Sequence, residues 1–93
     1  MTMKDQITPE KAEILALEAL AWLAGHPDGI ARFLMVSGLE AADLRRAAGD
    51  RELLGSLLDF LLANEPLLLE FCQDTSISSR TVHAAQHQME AVR

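Results

Sequence analysis

At 93 residues the chain has material for one hydrophobic core and not for two. Its apolar fraction of 49% is dominated by Leu and Ala, with no Tyr and one Trp, a mixture that favours helices over strands. Eight Lys and Arg against 14 Asp and Glu leave a net charge of −6, which opposes binding to nucleic acid or an anionic membrane and suits a soluble, cytoplasmic protein.

Residues 1–8 read as a flexible N-terminal tail. Thr8 can cap a first helix, Pro9 suits its first turn, and Glu10 favours the positive end of its dipole. Gly25 and Pro27 stop it. At about 100° per residue, Glu10, Lys11, Glu13 and Glu18 share one broad face. Ile14, Leu17 and Ala21 fall on that same side, while Leu15, Ala19, Trp22 and Leu23 fill the other. From Ile14 onward this helix is apolar nearly all round, so it is central in the core or covered by a partner.

"PDGIARFLMVSG" predicts a second, shorter helix ending near Gly38, and "LEAADLRRAAGD" a third closed by Gly49. Asp50 caps "RELLGSLLDFLLAN", in which Arg51, Glu52, Ser56 and Asp59 face out and Leu53, Leu54, Leu57, Phe60 and Leu61 face in. "EPLLLEFCQD" is a fifth helix, with Pro66 tolerated in its first turn. Ser78 caps a sixth, "SSRTVHAAQHQMEAV", whose buried stripe is Val82, Ala85, Met89 and Val92. The expected fold is all-α: a single domain, a compact bundle of five or six short helices around Trp22, Phe33, Phe60 and Phe71.

A shift of 38 residues lays 15–47 over 53–85. Leu15/Leu53, Leu23/Leu61, Phe33/Phe71 and Ala47/Ala85 then coincide, and Trp22/Phe60, Leu39/Ile77 and Leu44/Val82 agree in character. Apolar positions and turns agreeing together point to two similar three-helix halves, an internal repeat. The competing reading is two amphipathic hairpins with similar loop lengths.

Both halves carry one corner: an apolar helix, a small residue (Gly38 or Ser76), an apolar residue (Leu39 or Ile77), then a new helix. In "TSISSRTV", residues 75–82, this is the arrangement of a helix-turn-helix DNA reader, but any tight helical corner needs the same three things. A reader also needs basic or amide side chains on the second helix. The first corner offers Glu40 and Asp43, which phosphates repel; the second offers Arg80, His83, Gln86, His87 and Gln88. Phe71–Arg93 is nevertheless neutral, with Arg80 and Arg93 against Asp74 and Glu90, so nucleic acid is an unfavoured partner.

His83 and His87 lie four apart with Glu90 three further on, a spacing that can supply metal ligands, yet no Cys or Asp cluster completes a site. A solvated helix face is the plainer reading, and no cofactor is expected. Cys72, the one cysteine, excludes an internal disulfide, and Leu69 and Phe71 beside it point to a buried, inert thiol. Gly55 lies inside the fourth helix, where the close approach of a neighbouring helix would explain it. No signal-peptide pattern is seen, and the longest apolar run, Ile14–Ala24, is broken by Glu18 well short of a membrane span.

The stretches "LAWLAGHPDGIARFLMVSGLEAADLRRAAGD" and "LLDFLLANEPLLLEF" resemble a bacterial family known as domain of unknown function 3572. The likeness runs from Leu15 to Ala85 and is carried by Phe33-Leu34, Ser37-Gly38-Leu39, Asp43-Leu44-Arg45 and Leu58-Asp59-Phe60-Leu61-Leu62. It implies a small helical cytoplasmic protein and supplies no activity or catalytic residue. It also implies Gly at the position of Ser76, so the DNA-reader look of this corner belongs to the chain rather than to the family. With no Gly-rich phosphate loop or catalytic set, the expectation is a non-catalytic protein–protein interaction or regulatory module, not an enzyme. Ile14, Leu17 and Ala21 are the candidate partner interface, toward an unidentified protein or a second copy; Arg80, His83 and His87 are the DNA-facing candidates of the alternative.

Overall fold

The computed structural model describes residues 7–91, with the Ala91 side chain excepted. In chain order the elements are α1 (Pro9–Ala24), α2 (Pro27–Ser37), a 3-10 turn (Ala41–Asp43) running into α3 (Leu44–Ala47), α4 (Arg51–Ala63), α5 (Glu65–Thr75) and α6 (Ser79–Ala91). No strand occurs among the described residues. The expected tail falls mostly outside them: only Ile7, packed half-buried on the core, and Thr8 are described. Val92, expected in the buried stripe of the last helix, also lies outside.

Four of the long helices, α1, α2, α4 and α6, start where a side chain takes up a free amide, whereas α5 starts on Asn64 with no such bond. Thr8 Oγ1 accepts from Lys11 N at 3.2 Å, and Asp50 Oδ1 accepts from Glu52 N and Leu53 N. Ser78 Oγ accepts from Thr81 N at 3.1 Å. The cap of α2 is His26, which composition does not flag: its Nδ1 accepts from Gly29 N at 2.9 Å, leaving Nε2 to donate to Glu70 at 2.8 Å. α2 and α5 both end on a left-handed residue, Gly38 at φ 77° and Ser76 at φ 63°. The 38-residue offset carries α2 onto α5 end for end and Gly38 onto Ser76, but it sets four-residue α3 against thirteen-residue α6.

The third helix is therefore far shorter than expected. Its segment buries only Ala47 fully, too little to hold a long helix against chain entropy. Asp43 instead organises a tight corner, accepting from the Glu40 amide at 3.0 Å and from Arg46 at 2.7 Å. The amide first and the guanidinium second hold the Asp43 carboxyl below its usual range.

α1, α4 and α6 pack against one another, α2 lies on α1, and α5 lies on α4 with its end against α6. One continuous core results, with Leu23, Phe33, Leu54, Leu58, Phe71 and Val82 at its centre. Each such side chain contributes about 1.5–3 kcal/mol by leaving water. Within α4, Leu58 is fully buried and Leu53 only half-buried, a one-position rotation of the expected inner face. Arg51 turns back to pair with Glu13 of α1 at 3.2 Å rather than facing out. Trp22 is half-buried at the edge, packing on Phe71 with ring centres 5.4 Å apart and donating from Nε1 to Asp74 at 2.9 Å. Cys72 is half-buried rather than buried, and Leu69 beside it is exposed; partial burial still pushes the thiol pKa up. A Cβ on Gly55 would sit 3.8 Å from Met89, ordinary contact, so close approach does not require that glycine.

Candidate functional site

The core side of α1 is Ala12, Leu15, Ala16, Ala19 and Leu23. Ile14, Leu17 and Ala21 lie on the opposite side, where Ile14 is 57% exposed and Leu17 36%. Successive gaps of three and four residues make them one seam, the pattern with which a helix meets another helix. Exposed Lys11 and Glu18 border it, seven residues apart and opposite in charge.

The α5–α6 corner has the helix-turn-helix form the sequence led us to expect. Ser76 turns the chain, and Ile77 plugs the elbow half-buried, its amide donating to Thr75 Oγ1 at 3.3 Å. Arg80, His83 and His87 share the outward face of α6, opposite buried Val82, Ala85 and Met89. Glu90 lies among them, and Gln86, one of the amides offered by this helix, already donates to Asp59 at 2.7 Å. Among the described residues no three His, Cys, Asp or Glu side chains come together as metal ligands.

A feature the residue pattern did not reveal is a groove of about 440 Å³ between the end of α2 and the length of α4. Its apolar wall is Phe33, Val36, Leu39, Leu53, Phe60 and Ala63. Val36 is 74% exposed, and Met35 beside it 79%. One signal was legible: "FLMV" is four apolar residues in a row, and a helix cannot turn four consecutive side chains inward.

A family model spans residues 9–91, from the first residue of α1 to the last of α6. The chain belongs to that family, DUF3572, described as a protein of unknown function. The DUF3572 match covers every helix and all three surfaces, so each lies within the family's own domain. Neither a curated protein nor a solved structure matches the chain. Among the described residues no helix is long and apolar enough to cross a membrane.

Proposed function

We propose that the chain is a non-catalytic protein-interaction module, an accessory or regulatory component that works in the cytoplasm by docking. The observation that carries this reading is the α1 seam: apolar side chains at helix-pairing spacing, turned away from a core that is complete without them. The occupant we infer is a second copy of the chain. Antiparallel pairing of two α1 helices sets Ile14 against the second copy's Leu17 and brings Lys11 beside its Glu18, so charge and register agree. Sedimentation velocity up to about 100 µM, where even a micromolar dimer is populated, tests it. We expect a dimer that the Ile14→Glu, Leu17→Glu double variant returns to monomer with its helicity intact. A wild-type monomer throughout that range removes the support.

The same reading includes an internal repeat. Under the 38-residue offset, Trp22 maps to Phe60 and Phe71 to Phe33, so the Trp22–Phe71 contact maps onto the Phe33–Phe60 contact, which has the same 5.4 Å ring separation. Glu13 maps to Arg51, its own ion-pair partner. A chain carrying the 53–85 sequence at 15–47 as well should fold to a similar bundle; a molten product argues for two unrelated hairpins.

A second reading, a DNA-binding regulator presenting Arg80, His83 and His87, draws on the form of the α5–α6 corner. It requires salt-sensitive retardation of duplex DNA at micromolar protein in about 50 mM salt, and the absence of retardation there ends it.

A further inference from the structure

We infer that the groove between α2 and α4 receives an amphipathic helix whose apolar face is bordered by Lys or Arg. The inference rests on the reading of the chain as an interaction module but uses a face separate from the α1 seam. Length argues first. The groove follows α4 from Leu53 to Asn64, about 16 Å at the rise of an α-helix, which matches roughly three turns of a partner helix lying alongside.

Charge decides the chemistry of the border. The apolar wall meets a rim of Ser56 and Asp59 on α4. At the Leu53 end it opens into a second hollow, sharing Leu53 and Ser56, where Asp50 and Glu52 stand. Among the described residues no Lys or Arg lines either hollow. Arg51, the nearest cation in sequence, pairs with Glu13 and lines instead the small pocket on the α6 side of Ser56 and Asp59. An apolar stripe with cations along one edge therefore satisfies both wall and rim, whereas an acidic edge is repelled by Asp59 and, at the Leu53 end, by Asp50 and Glu52.

The other half of the chain shows why the groove is open. There Trp22 spans the equivalent corner and bonds to Asp74, tying α1 to α5. At the matching positions stand Phe60 and Val36, which touch no polar partner across the gap and leave an apolar cleft facing solvent.

The probe is a fluorescein-labelled synthetic helix of about 14 residues, with Leu at successive helical turns and Lys on its flanks, read by fluorescence anisotropy. Saturable binding to the full chain is expected, at least about tenfold weaker for the peptide with Glu in place of each Lys, and weaker as salt rises. Val36→Glu and Ser56→Arg, both at exposed positions, should each weaken it by about tenfold or more while the melting temperature stays unchanged. No binding of the Lys peptide at about 100 µM, or equal binding by Val36→Glu, overturns the inference. Loss of self-association in Val36→Glu without any peptide binding would assign the groove to a second copy and overturn it too. The Ile14→Glu, Leu17→Glu variant should still bind the peptide, so failure of the α1 dimer and failure of the groove are read in separate measurements.

Discussion

Gly29 and Gly55 both sit inside helices, yet they stand under opposite constraints. A Cβ on Gly29 would meet Leu23 at 2.8 Å, His26 Nδ1 at 3.0 Å and Leu67 at 3.2 Å. Both leucines are buried, and the imidazole is held by its bonds to the Gly29 amide and Glu70, so none yields freely. Gly29→Ala should cost about 1–3 kcal/mol by overpacking. Gly55 has only Met89 at 3.8 Å, so Gly55→Ala should stabilise by about 0.5–1 kcal/mol through the lost freedom of the unfolded chain. Urea unfolding of the two variants checks the contrast, and a destabilised Gly55→Ala would restore close packing as the reason for that glycine. Asp43 gives a pH test at the same scale. Its carboxyl titrates below the ordinary 3.8, so the support it gives the 3-10 turn is present above that value and is lost as pH falls through the lower, folded one. The Glu40 amide resonance, which reports that bond, should shift with a midpoint under 3.8; a midpoint at or above it contradicts the bonded corner.

Helix ends were legible wherever a backbone rule was at work. Thr8, Pro9, Asp50, Pro66 and Ser78 all stand at or beside the starts their chemistry implies, because capping needs only a short polar side chain in the right place. What could not be read were features that depend on a partner from elsewhere in the chain. His26 caps α2 with its ring held from the other side by Glu70 of α5. The rotation of α4 that buries Leu58 is set by where α1 and α6 lie, and the groove beside it is a gap between elements, which no single stripe records. Length misled for α3, whose polar and Ala-rich sequence permits a helix that packing does not then extend. At the end of α5, Ser76 occupies a left-handed conformation that its Cβ disfavours, where the matching residue after α2 is glycine. Ser76→Gly should therefore stabilise by about 1 kcal/mol in chemical denaturation, against only the small entropy cost of glycine. An unchanged or lowered midpoint would mean that the hydroxyl contributes more to the corner than the strain removes.

Across the whole molecule, the two phenylalanine ring contacts run between the halves, while Trp22 also meets His26 within its own half at 5.0 Å. Trp22 and Phe33 belong to the first half and find their ring partners, Phe71 and Phe60, in the second. The Glu13–Arg51 pair and the His26–Glu70 bond cross in the same way. The central core likewise joins Leu23 of α1 to Leu58 of α4 and Val82 of α6 in one cluster. The halves thus share one core, and each alone would expose to water the apolar side chains that the other now covers. At about 50 residues or fewer, a fragment also sits near the size below which folding normally needs a disulfide, a metal or a partner. Separate fragments 1–49 and 50–93 should accordingly show little helix by circular dichroism, while an equimolar mixture regains it and the intact chain unfolds in one transition. A fragment that melts cooperatively by itself would show that its half carries an independent core, and the cross-half contacts would then be an interface between two folded units rather than the interior of one.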